Sequence, residues 1–378
     1  MHPLQSARFH GLDTLRSVAI VAVMLFHLQD VLPEKMVLVE QYGWMGVDLF
    51  FVLSGFLIGN QLLKSYANGE KFSISLFYQR RMFRIVPAYV AVLLLYLWVP
   101  AWREEPGLAP AWEFFTFTEN IFFQPQYRAF SHAWSLCVEE HFYLILPLLV
   151  MAMMRRRSFR RTSYLLAFVV AFGLAARAVA ITHITDRYFV RIYYQTYMRL
   201  DGLSVGVTLA LVKNFRPQWW KSLSRHGHAS LLSGMVLVLA VMWMFRNNGL
   251  GKLTGSPAWG TVVGYPLLAC GLGLIVASSL STEGLLNRYR IPGTQLLATL
   301  AFSLYLTHKE IVHMDQIYFP TLTVGRSFEA SVVFLTTCFA AAGVLHLLIE
   351  RPFMQLRDMV ESRSSRSAEE RMRAEPAL

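Results

Sequence analysis

The 378-residue chain is 55% hydrophobic and 14% aromatic, with only 16% charged residues, which excludes an ordinary soluble domain of this length. Its formal net charge of +11 is accounted for by basic loops facing anionic lipid, and no RNA- or DNA-binding motif accompanies it, so no nucleic-acid partner is expected. Apolar runs of about 20 residues, each able to cross a hydrocarbon core of about 30 Å, recur along most of the chain and predict an all-α, polytopic membrane bundle of about ten spans.

The first predicted span, 14–32, follows Arg8 and Arg16 and meets no small-residue cleavage site before Gln29 and Asp30, so it reads as a retained helix and not as a signal peptide. Asp13, Arg16 and His27 lie within about 60° of one another on it and form one polar stripe. Asp13 and Arg16 are one turn apart and able to pair near the inner surface, whereas His27 reaches the middle or outer half, about 16 Å further along. Packing alone explains many lone histidines, but an imidazole exchanges protons near neutral pH and an ionisable group within a span faces a bundle interior or aqueous cavity. The second span, 44–63, carries Asp48 near its outer end, where snorkelling and a partner role are equally open, and Gly55 and Gly59 at the spacing of close helix contact.

The third span, 85–99, is preceded by Arg80, Arg81 and Arg84. A charge beside the bilayer costs roughly 2.5–3.5 kcal/mol even on lenient scales, so these cations predict an anionic neighbour, either lipid phosphate or a phosphorylated ligand between helices. The outer loop that follows holds Trp112, Phe114, Phe115, Phe117, Phe122 and Phe123, suited equally to covering a sugar-like acceptor and to packing on helix ends. The fourth span, 134–154, opens with Trp134 and Ser135 and then carries Glu139, Glu140 and Tyr143. Adjacent helical residues point about 100° apart, so one carboxyl can face a cavity while the other pairs with a cation. Spans at 164–182, 231–245 and 260–280 are plainer. The sixth, 193–212, contains Arg199 and Asp201 ahead of Gly202 and Gly206, charges that partners on other helices would also satisfy. The ninth, 295–319, contains Ser303, Tyr305, Thr307 and His308, and the tenth, 329–349, ends at Glu350, a candidate partner for an inner arginine.

Cys137, Cys270 and Cys338 all fall inside spans, which suggests neither a disulfide framework nor a metal site. Lys and Arg concentrate on one set of alternate loops, including Arg8, Lys64, Lys71, Arg155 to Arg157 and Arg216, which predicts that both termini are cytoplasmic. Residues 1–354 read as one membrane domain and 355–378 as a polar, disordered cytoplasmic tail. No internal repeat is visible, which weighs against the competing reading of a proton-coupled transporter or channel lined by His27, Glu139 and His308. Arginines lie on the inner side, and a histidine, carboxyl and hydroxyl set extends outward from the midplane. That polarity predicts two substrates: an inner anionic one such as a nucleotide-bearing acyl carrier at Arg81 and Arg84, and an outer hydroxyl from which His27 with a nearby carboxyl removes a proton.

Leu12 to Arg16 with His27, the stretch Gly46 to Gly55, Arg80 to Pro87, Trp134-Ser135-Leu136 with Glu139, Glu140 and Tyr143, Arg199 with Asp201, Ser303 to Leu306 with His308, and Glu350 together resemble the membrane-bound acyltransferase family 3, over about 11–352. The resemblance implies an integral inner-membrane O-acyltransferase that moves an acyl group, commonly acetyl from cytoplasmic acetyl-CoA, to a carbohydrate such as an envelope polysaccharide, or to a small molecule such as a macrolide. It makes His27 the catalytic residue, either as the base that activates the acceptor hydroxyl or as a transient carrier of the acyl group, and Arg81 with Arg84, beside Arg80, the acyl-CoA site, with no metal. Glu139 or Glu140 would then orient or recharge the imidazole, while Asp13, Arg16, Asp48, Trp134, Ser135, Tyr143, Arg199, Asp201, Tyr305, His308 and Glu350 support the site or the substrates. Cys137 and His141 depart from the family pattern and are given no role. The chain stops soon after its tenth span, so an extracytoplasmic partner is expected to be a separate protein.

Overall fold

The computed structural model describes residues 9–28, 41–69, 72–154, 158–182, 188–248, 259–323 and 327–374. Gln29 and Asp30, and the basic residues Arg8, Lys71 and Arg155 to Arg157, lie outside them. Among the described residues there is no strand, and the long helices run α1 (His10–His27), α2 (Met45–Asn68), α3 (Ile74–Trp98), α4 (Trp134–Met154), α5 (Phe159–Thr182), α6 (Asp201–Phe215), α7 (Gly227–Asn248), α8 (Trp259–Ser279), α9 (Thr294–Tyr318), α10 (Phe328–Leu345) and α11 (Arg351–Ala374). Among the described residues, seven stretches are long and apolar enough to cross a membrane. The expected spans on α1, α6 and α9 are not among them, because α6 is short and the other two carry the ionisable residues. The chain is a multi-pass membrane protein whose outer helices show lipid an apolar face: Tyr164, Phe168 and Val179 on α5 and Leu232, Val236 and Trp243 on α7 are all exposed.

α2 is the hub, packed against α1, α4, α6 and α8. Its crossing with α6 is close because both sides present glycine. A Cβ at Gly55 would lie 2.2 Å from the Leu203 carbonyl oxygen, and one at Gly206 would lie 2.3 Å from that of Val52, so the small-residue spacing acts here as a backbone contact.

Three expectations are corrected. α3 begins at Ile74, not near 85, since Ser73 caps it by accepting from the Leu76 N–H at 3.3 Å; Arg80, Arg81 and Arg84 therefore sit within the helix. The sixth span begins at Asp201, because 189–198 is spent on one wide turn, Phe189–Tyr193, and one tight turn, Thr196–Met198, which bury Ile192, Tyr193 and Met198. The polar segment expected to be a disordered tail is helical to Ala374. α11 continues from α10 through a wide turn at His346–Glu350 and is tied back to α3 where Arg80 Nε and Nη2 donate to Glu361, both at 2.7 Å.

The outer loop folds onto the end of α3. Phe130 stacks on Tyr96 with centroids 4.4 Å apart, Phe117 stacks on Tyr89 at 4.8 Å, and Phe114 is buried between them. Packing thus accounts for these aromatics, whereas Trp112, Phe115 and Phe122 remain exposed.

Candidate active site

Five helices enclose an inner cavity of about 310 Å³. Arg16 from α1, Ser54 and Gln61 from α2, Arg81 and Arg84 from α3, Ser135, Glu139 and Tyr143 from α4, Tyr305 from α9, and Glu350 below α10 line it. Arg81 and Arg84 are one turn apart and share this face. Arg80 is rotated away and is committed to Glu361 instead. Arg81 spans the gap between the rings of Tyr143 and Phe77, at 5.5 and 5.9 Å, and its Nη2 meets Gln61 Oε1 at 3.5 Å, while its buried Nε has no hydrogen bond. Glu139 accepts from Ser54 at 3.1 Å and from Tyr143 at 2.7 Å. Glu140 points elsewhere, with Oε1 buried and without a hydrogen bond. Glu350 accepts from Ser303 and from His346 Nδ1, each at 2.9 Å.

His27 lines a second, smaller cavity of about 60 Å³ further along the same face of α9, walled by Phe26, Trp44, Trp134, Phe189, Tyr193 and Tyr194 and including His132 and Lys309. His27 Nδ1 and His308 Nε2 are 2.7 Å apart. His308 Nδ1 faces the carbonyl oxygens of Leu304 at 2.9 Å and Tyr305 at 3.0 Å. Carbonyls only accept, so His308 carries its proton on Nδ1, its Nε2 offers a lone pair, and His27 donates from Nδ1. That chain leaves His27 Nε2 as the unprotonated nitrogen.

The partner of His27 is therefore His308, and neither Glu139 nor Glu140 orients it. Depth is the reason. Trp134, the first residue of α4, lines the His27 cavity, and Glu139 lies five residues further along, roughly 7.5 Å at 1.5 Å per residue, in the cavity that holds Arg81. The two cavities share Val47 and Tyr305 as lining residues. The Tyr305 hydroxyl donates to the His132 carbonyl at 2.7 Å and so accepts from Ser135 Oγ at 2.5 Å. The latched phenol ring and the valine thus border both the cavity of the arginines and that of the histidine.

Other expected site residues turn out to hold the bundle. Arg199 donates to both carboxylate oxygens of Asp48 at 3.0 Å, and its guanidinium lies 3.9 Å from the Tyr265 ring centre and 5.5 Å from that of Trp134. Asp201 is gripped by Arg177 at 2.7 and 3.1 Å. All four charged side chains are buried and none lines either cavity; paired this way, with Arg199 Nε and Nη1 left without a hydrogen bond among the described residues, they fix helix positions. Asp13 is buried beside Ser17, whose hydroxyl bonds the Asp13 carbonyl and that of Thr294, both at 2.8 Å.

A cluster the sequence reading missed stands beyond His27. The Tyr96 hydroxyl bonds Glu104 Oε2 at 2.7 Å and also Glu310; Lys309 Nζ meets Glu104 Oε1 at 2.9 Å; and His132 Nε2 is 3.6 Å from Glu310 Oε1. Glu104, His132 and Glu310 offer ligand atoms within 4.8 Å of one another, but the ammonium already supplies a positive charge and the phenol bridges the carboxyls. In the sequence His132 stands just ahead of the fourth predicted span and Glu310 inside the ninth, and only the fold pairs them. Nearby, in the outer loop, burial pushes the Glu119 carboxyl well above the ordinary carboxylate range, beside Cys137 Sγ at 3.6 Å.

The acyltransferase domain family Acyl_transf_3 matches residues 9–346. Among curated relatives, the O-acetyltransferase OatA of Staphylococcus aureus strain NCTC 8325 / PS 47 is 24% identical over 336 residues, covering 82% of this chain and 51% of OatA. OatA of strain COL matches to the same extent. A further protein of that strain, SACOL0978, is 24% identical over 369 residues, covering 91% of this chain and 57% of its own. The chain thus spans about half the length of the curated relatives it matches. No solved structure matches it. With that family covering the five helices that line the inner cavity and every residue that lines the smaller one, the chain belongs to the acyltransferase domain family.

Proposed function

We propose that the protein is an O-acetyltransferase of the inner membrane, with about ten spans and both termini in the cytoplasm, which moves acetyl from cytoplasmic acetyl-CoA to a hydroxyl of an envelope carbohydrate. The observation that carries this reading is the hydrogen-bonded His27–His308 pair with a free Nε2, beside Tyr305 and Val47, which also border a cavity that presents Arg16, Arg81 and Arg84. The O-acetyltransferases among the relatives support the acetyl and hydroxyl parts of it. The polar edge and aromatic wall of the outer cavity suit a sugar hydroxyl.

In this mechanism the guanidinium groups of Arg81 and Arg84 bind the CoA phosphates, which a planar fork does bidentately. Glu139, Tyr143 and Ser54 form the polar wall along which the pantetheine arm runs. Displacement of the Tyr305 ring brings the thioester to His27, whose Nε2 attacks the carbonyl while His308 holds the opposite nitrogen. The Arg199–Asp48 and Arg177–Asp201 pairs take no chemical part and hold α2, α5 and α6 in place.

Purified protein incubated with labelled acetyl-CoA and membrane glycan tests this. Label should pass to glycan as an alkali-labile ester and disappear with His27→Ala. Ester formation undiminished in that variant would overturn the assignment.

A further inference from the structure

We propose that His132, backed by Glu310, is a second base, which takes the acceptor's proton in a double-displacement reaction whose first half belongs to His27. This rests on the acyltransferase reading above and adds a residue and an order of events to it. His27 has one available nitrogen, because Nδ1 is held by His308 at 2.7 Å. Once Nε2 carries the acyl group, no lone pair remains on that ring to deprotonate an incoming hydroxyl. The second half-reaction therefore needs another base on the same cavity.

His132 lines that cavity, and its ring lies 5.6 Å from His308, itself 4.9 Å from His27, centroid to centroid. It is only 3% exposed, yet neither ring nitrogen makes a hydrogen bond among the described residues. An imidazole whose polar neighbours are the Leu306 backbone and the Glu310 carboxyl, with neither nitrogen in a hydrogen bond of ordinary geometry, is an unusual expense inside a bundle unless a ligand uses it. Its Nε2 stands 3.6 Å from Oε1 of Glu310, which is fully buried with Oε2 unbonded. A carboxyl at that distance stabilises the imidazolium that forms when His132 takes a proton. Lys309, the other cation on this cavity, is already bound to Glu104 at 2.9 Å.

The steps balance. His27 Nε2 attacks the thioester carbonyl, the C–S bond breaks, and its electron pair leaves on the CoA thiolate. The acceptor oxygen then attacks the acyl carbon, its proton passes to His132, and the C–N bond breaks with its pair returning to Nε2. Solvent carries the proton from His132 to the thiolate, so one acyl-CoA and one alcohol yield one ester and one CoA thiol.

The experiment measures two reactions of the full-length purified protein: exchange of labelled CoA into acetyl-CoA without acceptor, which reports the first half, and transfer of labelled acetyl to membrane glycan, which reports both. Wild type should exchange. His132→Gln should keep exchange within about threefold and lose transfer by roughly 10²- to 10⁴-fold, the usual worth of a general base. Glu310→Gln should lose transfer by a smaller factor with exchange kept, and His27→Ala should lose both. Absence of exchange in wild type, or equal loss of both reactions in His132→Gln, overturns the second base. Should His132→Gln not accumulate in membranes, His132→Asn and Glu310→Gln are scored on the same two reactions, and equal loss in both overturns it likewise. Transfer surviving in His27→Ala would sink the underlying reading instead.

Discussion

Replacing His308 tests the imidazole chain directly. His308→Ala removes the acceptor of the His27 Nδ1–H and leaves that donor without its hydrogen bond of 2.7 Å. An unmade buried hydrogen bond costs about 1–3 kcal/mol, and each 1.36 kcal/mol on a barrier is tenfold in rate, so turnover should fall by roughly 5- to 150-fold from this cause. Freed rotation of the His27 ring adds to the loss, because the reactive nitrogen is then aimed correctly only part of the time. His308→Gln keeps an acceptor oxygen in reach and should recover a large part of the rate. The assay is steady-state release of CoA from acetyl-CoA with glycan present, with kcat and KM determined separately. The loss should appear in kcat, with KM for acetyl-CoA unchanged, because His308 does not line the inner cavity. A raised KM with normal kcat, or a glutamine variant no better than alanine at equal membrane abundance, would refute the tautomer argument.

Other consequences can be measured with the same preparations. Arg81→Ala and Arg84→Ala should each raise KM for acetyl-CoA by about 10- to 100-fold, the range for losing a hydrogen bond to a charged group, while membrane abundance by immunoblot stays normal. Gly55→Leu and Gly206→Leu should abolish folded protein in detergent chromatography, since even a Cβ would meet carbonyl oxygen at 2.2 and 2.3 Å; Gly343→Leu, with nothing within 4 Å, should elute normally. Glu119 retains in the folded chain a proton that the unfolded chain gives up above about pH 4.3, so its contribution makes stability fall as pH rises from there toward its raised folded value. Glu119→Gln should flatten that fall in melting midpoints measured between pH 4 and 8, and an unchanged slope would deny the carboxyl this role.

Much of the architecture was legible along the chain, since a bilayer demands long apolar helices with internally satisfied backbones and tolerates charge only where something answers it. That demand alone singled out His27, Arg81, Arg84 and Glu139 as residues in need of a reason, and the glycine spacing at Gly55 and Gly206 announced a close crossing. Periodicity carries no information on what stands opposite, however. The partner of His27 lies 281 residues away, Arg199 answers Asp48 across 151, and His132 meets Glu310 only because α4 and α9 arrive at the same depth from opposite ends of the chain. Apolar runs also understate a helix whose first turns are polar, which is why α3 starts earlier than its hydrophobicity does. Composition and spacing settle what must be buried; pairing between distant helices, a matter of three-dimensional packing and depth, decides which carboxyl or imidazole each buried group finds.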